Sequence, residues 1–162
     1  MKKSAQVIPA SMRAMYENFH FAAAVRSGDL LICSGQLGAG PDGRGIADPA
    51  AQFAAAFDNV KAVLAEAGLD FSDVIEITTF HVGLMQHLGA FIRAKNAVLP
   101  EPYPAWTAIG ITELAMPGCL VEIRATAQLR KPAVRAAAVR PRTRSKRGAK
   151  PRKRTSARRR AH

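Results

Sequence analysis

The sequence predicts an α+β domain in which two helices pack on one face of a mixed sheet, in the order ββαβαββ, followed by a disordered basic C-terminal tail. Three observations lead there. Several short runs alternate apolar and polar side chains with a period of two, the mark of half-buried strands. Two longer windows repeat apolar side chains at spacings of three and four, the mark of helices. Charge then divides the chain: residues 1–129 hold nine Lys/Arg against twelve Asp/Glu, a net of −3, whereas residues 130–162 hold fifteen Lys/Arg and no acid. The formal +12 of the whole chain therefore belongs to its end and says nothing about the folded part. With 162 residues, 48% of them hydrophobic, there is material for one domain with its own core. The expected organisation is a flexible or extended lead-in over 1–16, a domain over 17–129, and a tail over 130–162.

The elements follow in order. Residues 1–16 show no sustained period and contain Pro9, which predicts the lead-in. Over residues 18–25, Phe19, Phe21, Ala23 and Val25 line one face of a strand. Ser27-Gly28-Asp29 is a turn, and residues 30–34 form a buried strand that runs into Gly35. Residues 38–45 are too rich in glycine for regular structure. A clear helix start comes next: Asp48 can accept from the free amides of the first turn, and Pro49 suits the first helical position because it has no N–H to leave unpaired. Phe53, Phe57, Val60 and Leu64 then recur on one face, until Gly68 permits a left-handed stop.

Residues 74–82 are dense in β-branched and aromatic side chains and predict a strand. Residues 86–98 predict a second helix from Leu88, Phe91, Ile92 and Val98, ending before the prolines at 100, 102 and 104. Residues 103–111 and 119–129 alternate again, and the turn-rich 113–118 between them predicts neighbouring strands of an antiparallel pair. On the second of these, Glu122 and Arg124 share a face with Leu120, Thr126 and Gln128, while Val121, Ile123, Ala125 and Ala127 take the other. A carboxylate is thus offered from a rigid strand.

Several classes of function lack their signatures. Cys33 and Cys119 fall in apolar runs and not in a close pair, the habit of reduced core thiols, so a cytoplasmic protein is expected. The first nine residues have no apolar segment of the secretory kind, and no stretch approaches the ~20 apolar residues of a membrane span. His20, His81 and His87 show no ligand spacing, so no metal is expected. Ser34 is not in a Gly-x-Ser-x-Gly elbow. The glycines at 40, 43 and 45 precede no Gly-Lys-Ser/Thr, so a connecting loop is favoured over a phosphate loop.

Five motifs, in sequence order over residues 19–129, carry a likeness: Ser34-Gly35-Gln36, Asp58-Asn59-Val60-Lys61-Ala62 before Ala67-Gly68, Thr78-Thr79-Phe80, Tyr103-Pro104-Ala105-Trp106-Thr107, and Val121-Glu122-Ile123-Arg124-Ala125. Together they resemble the RidA/YjgF family, also written YjgF/YER057c, of reactive intermediate deaminases. The resemblance implies a chorismate-mutase-like fold and a homotrimer whose small-molecule clefts lie between subunits. It also implies hydrolysis of 2-imino or enamino acids to 2-oxo acids and ammonia with no cofactor. The reaction explains the residues: a guanidinium can clamp the substrate carboxylate through two bonds, and a glutamate can orient water or pass protons. Glu122 stands at the family's glutamate and is the catalytic candidate. By the same likeness Ser34 and Gly35 form part of the cleft wall, though a strand ending at a glycine accounts for them equally.

The departures bear on substrate. The family's arginine in its Pro-Ala-Arg-Ser pattern is here Trp106, followed by Thr107; its cysteine is Ala108, its site tyrosine aligns with Phe21, and its helix-borne asparagine with Phe91. These positions are the substrate-binding candidates. An indole offers one N–H donor and a large apolar surface, so the charged clamp is replaced by a drier wall. Two readings follow: a cleft retuned for an apolar, aromatic or cationic ligand that stacks on Trp106, or a tryptophan that packs at a subunit contact and binds nothing. Glu122 is open in the same way, because Arg124 on its face could pair with it structurally.

The tail cannot bury enough apolar surface to offset chain entropy, hence its expected disorder. Arg142, Arg144, Lys146, Arg147, Lys150, Arg152, Lys153, Arg154, Arg158, Arg159 and Arg160 are candidates to bind DNA, RNA or another polyanion by counterion release. A solubilising extension is the alternative, and no apolar face suggests membrane insertion. The sequence thus leaves two functions: an imine deaminase, or a non-catalytic ligand-binding protein tethered to nucleic acid.

Overall fold

A computed structural model describes residues 5–130. The predicted tail, with every basic residue named for it, lies outside the described residues. The elements are β1 (Ala5–Val7), α1 (Arg13–Phe19), β2 (Ala24–Ser27), β3 (Leu30–Cys33), β4 (Gln36–Leu37), α2 (Pro49–Glu66), β5 (Val74–Val82), α3 (Leu84–Val98), β6 (Ala105–Ile111) and β7 (Val121–Gln128). They form an α+β fold with one mixed sheet, in the order β1-β2-β3-β7-β5-β6, with β4 also paired to β7.

Helix α2 forms as its sequence dictates. The Asp48 carboxylate accepts from Ala51 N at 2.8 Å, Pro49 opens the helix, and Gly68 beyond its end adopts φ +77°. Phe53, Phe57, Val60 and Leu64 all lie in the core. They cover the face of β7 formed by Val121, Ile123, Ala125 and Ala127, each 0% exposed. Burying four such side chains is worth roughly 1.5–3 kcal/mol each, which fixes the helix on the sheet. Phe91 of α3 joins the same core, 5.7 Å from both Phe53 and Phe57 between ring centroids.

Two expectations are corrected. The lead-in contains regular structure: β1 pairs antiparallel with β2, and α1 precedes β2, so among the described residues a third α-helix joins the two expected. Helix α1 also occupies the start of the strand expected over 18–25, which begins only at Ala24. The second correction concerns the last two strands. β6 and β7 are not neighbours, because β5 lies between them: β6 runs parallel to β5, and β7 antiparallel to its other edge. The physical reason is α3. A strand, a helix and a strand in succession form a crossover that returns parallel to the first strand, leaving β6 at the sheet edge. The turn-like 113–118 is then the passage that carries the chain back to the middle of the sheet.

A buried amide secures that passage. Gln52, 1% exposed on α2, donates from Nε2 to the carbonyls of Ile46 at 2.8 Å and Gly118 at 3.1 Å, and accepts from Leu120 N at 2.5 Å. The glycine-rich loop and the start of β7 are thereby tied to one helix. At the other end of β7, Arg130 grips Asp70 at 2.6 Å and Asp73 at 2.7 Å, so it belongs with the folded part and not with the tail.

Candidate functional site

The sheet register decides which candidate residues can meet. Phe80 pairs with Glu122 and Thr78 with Arg124, whereas Ile77 pairs with Trp106 and Thr79 with Ala108. Paired residues project to the same side and successive ones to opposite sides. Glu122 therefore lies on the face away from α2 and α3, while Trp106 and Ala108 lie on the helix-covered face. Thr107 shares the side of Glu122. One chain holds the candidates as two groups on opposite faces.

The first group gathers around Glu122. The strand β4 places Leu37 opposite Glu122, and just before it Gly35 comes so close that an added Cβ would lie 2.0 Å from Glu122 Oε1. The missing side chain is what gives the carboxylate its seat. Ser34 donates from Oγ to the carbonyl of Ala22 at 2.8 Å, and its N–H donates to that of Ala23. The segment after Phe21, itself 40% exposed, is thus held beside Gly35. Burial raises the pKa of Glu122 above the usual carboxylate range. The ion pair considered for it with Arg124 does not form within the chain: among the described residues, the salt bridges join only Arg130 to Asp70 and Asp73.

The second group is built on Trp106. Its Nε1 donates to Thr79 Oγ1 at 3.0 Å, its ring lies 5.8 Å from Phe91, and Lys95 Nζ stands over it at 4.9 Å from the centroid. Phe91 is 0% exposed, so it supports the indole from the core and presents no surface to a ligand. Ala108 is exposed on the edge strand beside it. Thr79 also lies 2.8 Å from Nε2 of His81, whose Nδ1 has no hydrogen-bond partner. His81 is 1% exposed, and burial pushes its pKa down to about 4. It is neutral at pH 7.

Sequence reasoning missed Thr79, His81 and Lys95 as parts of this group. The signals were present: Thr79 and His81 are two apart on a strand, and Lys95 is four residues after Phe91 on a helix, so each pair shares a face. A separate open cleft of about 540 Å³ lies between the start of α3 and the end of β6, lined by His81, Leu84, Met85, Gln86 and Ile111 among others, but by neither Glu122 nor Trp106. Both cysteines are free and buried, and burial pushes the Cys33 thiol up to about 12. No helix among the described residues is long and apolar enough to cross a membrane.

Comparison with known proteins agrees with this architecture. The family described as endoribonuclease L-PSP matches residues 12–129. The RutC family protein YjgH of Escherichia coli K12 is 40% identical over 130 residues, covering 80% of this chain and 98% of that protein. A solved structure of protein YjgH superposes with a TM-score of 0.73 at 39% identity, covering 80% of this chain and 99% of the other. The structure of RidA from the Antarctic bacterium Psychrobacter sp. PAMC 21119 gives 0.65 at 27% identity, covering 80% of this chain and 100% of the other. A protein named 2-iminobutanoate/2-iminopropanoate deaminase, also from Escherichia coli K12, is 39% identical over 87 residues, 49% of this chain and 68% of its own. With its sheet order, its chorismate-mutase-like neighbours and these matches, the chain belongs to the endoribonuclease L-PSP family, that is, the RidA/YjgF family.

Proposed function

We propose that this chain forms a homotrimer with a small-molecule cleft at each subunit interface, and that the cleft hydrolyses reactive imines or enamines to 2-oxo compounds and ammonia without a cofactor. The observation that carries this reading is the seat of Glu122, a carboxyl lodged against Gly35 on an open sheet face with its pKa raised by burial. Imine hydrolysis needs a group that takes a proton from water as the water oxygen adds to the C=N carbon. The same group then delivers that proton to nitrogen and takes up the proton left on the new hydroxyl, so that the C–N bond breaks, ammonia leaves and a carbonyl remains. A carboxyl that holds its proton more tightly than in water suits both transfers. The similarity to a protein named 2-iminobutanoate/2-iminopropanoate deaminase points the same way.

Two groups on opposite faces of one sheet cannot serve one small ligand within a single copy. In the proposed trimer, Phe21, Ser34, Gly35 and Glu122 of one copy face Trp106 and Ala108 of the next, with Phe91 behind the indole. Thr107 lies on the same side of the sheet as Glu122. Free buried thiols fit a reducing compartment, the cytoplasm. The test is ammonia release from a panel of freshly generated imines, with light scattering for assembly. Glu122→Gln should drop release to background and leave a trimer. If it keeps the rate, or if the assembly falls apart, the carboxylate is architectural and the reading fails.

A second reading, ligand binding without turnover by a protein tethered to nucleic acid, has its own support. The Trp106 N–H is already committed to Thr79, and no guanidinium replaces the family's clamp at that position. The run of fourteen cations beyond Arg130 would tether each copy to a polyanion, and three copies would add avidity. Truncation after Arg130, which preserves its grip on Asp70 and Asp73, should abolish binding to duplex DNA or RNA that falls steeply with salt. Salt-insensitive binding, or binding that survives truncation, would exclude the tether.

A further inference from the structure

We propose that the open cleft between the start of α3 and the end of β6 is a ligand site of its own. It takes a small uncharged amide, whose N–H is held by His81 Nδ1 and whose carbonyl is held by the first N–H groups of α3. The cleft measures about 540 Å³ and is lined by His81, Leu84, Met85, Gln86, Ile111 and Thr112 among others, none of them Asp, Glu, Lys or Arg. Neither Glu122 nor Trp106 lines it, so its occupancy is independent of imine hydrolysis.

The acceptor comes from a histidine with one nitrogen committed and the other free. Thr79 Oγ1 has one hydrogen and two lone pairs. It donates the hydrogen to the Thr107 carbonyl at 3.3 Å and accepts from Trp106 Nε1 at 3.0 Å. The 2.8 Å contact with His81 Nε2 then falls on the remaining lone pair, so Nε2 carries the hydrogen of the neutral ring and Nδ1 presents a bare lone pair. His81 is 1% exposed, and its Nδ1 has no partner among the described residues. The two nitrogens lie on opposite edges of the ring. With Nε2 turned back along β5 to Thr79, Nδ1 faces onward, toward Gly83 and the floor of the cleft that His81 lines. Leaving a buried acceptor unpaired is costly, and a donor on a ligand removes that cost.

Helix α3 supplies the opposite pole. Its N-cap is Gly83, at φ 65°, which has no side chain to cap with. The Gly83 carbonyl accepts from the N–H of Gln86 at 3.0 Å and of His87 at 3.2 Å. The N–H groups of Leu84 and Met85 before them have no acceptor among the described residues, and they stand at the positive end of the helix dipole. A lone pair and two N–H donors at one cleft complement a group that carries a donor beside an acceptor. An amide is the simplest such group. Leu84, Met85 and Ile111 give its carbon body an apolar wall. A carboxylate fits poorly, because it would find no cation in the lining and would turn its own lone pairs toward that of Nδ1.

The probes are 2-pyrrolidinone and N-methyl-2-pyrrolidinone, which share a ring and a carbonyl and differ in the N–H. In proton–nitrogen NMR spectra of the full chain, 2-pyrrolidinone should shift the Leu84 and Met85 amide signals saturably, with the N-methyl compound at least about tenfold weaker. His81→Phe keeps a ring against Phe91 and removes the acceptor. It should erase that preference while leaving the amide signals of β1 to β3 in place. No saturable shift, equal binding of the two lactams, shifts confined to other residues, or a preference that survives His81→Phe would each overturn the proposal. So would acetate binding at the same signals more tightly than 2-pyrrolidinone. The comparison of the two lactams on the wild type decides the matter even if His81→Phe fails to fold. Ammonia release from imines is a separate measurement, so the failure of either reading leaves the other standing.

Discussion

The two faces of the sheet are made by the same strands yet differ in kind. On the side of α2 and α3, Ile77, Thr79, His81, Val121, Ile123 and Ala125 are all buried, each 1% exposed or less. On the other side, Thr78, Phe80, Thr107, Ile109, Glu122 and Arg124 alternate with them and stay partly or fully exposed. The first face is largely covered within one chain, and Thr79 on it joins His81 Nε2 and the Trp106 N–H, with His81 Nδ1 left without a partner. The second carries a carboxylate, a guanidinium and branched apolar side chains with no helix laid over them. On the function proposed above, the contrast divides folding from function between the faces, with Trp106 as the side chain that touches both concerns.

That division can be broken by experiment. The largest effect should come from Phe91→Ala, which removes a ring packed against Phe53, Phe57, His81 and Trp106 and should cost about 3–5 kcal/mol in chemical unfolding. A loss below about 1 kcal/mol would mean that the covered face is not the structural one. Next, Gln52→Ala leaves the carbonyls of Ile46 and Gly118 and the amide of Leu120 without their partner. It should cost about 2–3 kcal/mol by the same measurement.

The open face should behave in the opposite way. Gly35→Ala brings a methyl group onto the Glu122 carboxylate, which can swing aside because it is the free end of a side chain. Ammonia release should fall by about tenfold or more while stability changes by under about 1 kcal/mol. A large loss of stability with activity preserved would reverse the assignment of the two faces.

The smallest effect is one of pH. Folded His81 titrates near 4 and an unfolded histidine near 6.5, so between those values the unfolded chain binds the extra proton. Stability contributed through this residue should climb as pH rises from about 4 to about 6.5 and stay level above. Thermal melts of His81→Gln against wild type should show that part of the climb removed. An unchanged difference between them across the window would place the acid sensitivity elsewhere.

Much of the fold was legible because local chemistry wrote it. Asp48 with Pro49, the four-three-four spacing from Phe53 to Leu64, and Gly68 mark both ends and the inner face of α2. The β-branched run at 74–82 marks β5, and alternation assigned every residue of β7 to its correct side. The first nineteen residues were not legible, since a three-residue strand and a seven-residue helix are too short to show a period. Pairing was not legible either: alternation declares a strand but does not name its neighbour. That limit extended to the site. Glu122 and Trp106 could each be singled out from motif and chemistry, but their separation across the sheet depends on registers between β5 and two other strands. Lys95 escaped notice because its meaning depends on an indole eleven residues further on, brought beside it by the turn of the chain after α3.

The strand at the centre of the sheet, β7, is the last in sequence order among the described residues. Before it emerges, the ribosome-bound chain can assemble β1 to β3 on one side and the β5-α3-β6 unit on the other, each with an unpaired edge toward the missing strand. Such edges invite pairing with other chains, and joining them through a late, distant segment is slow compared with local assembly. Substitutions in the passage over 113–118 should therefore lower the yield of folded protein during synthesis more than they lower the melting temperature of what does fold.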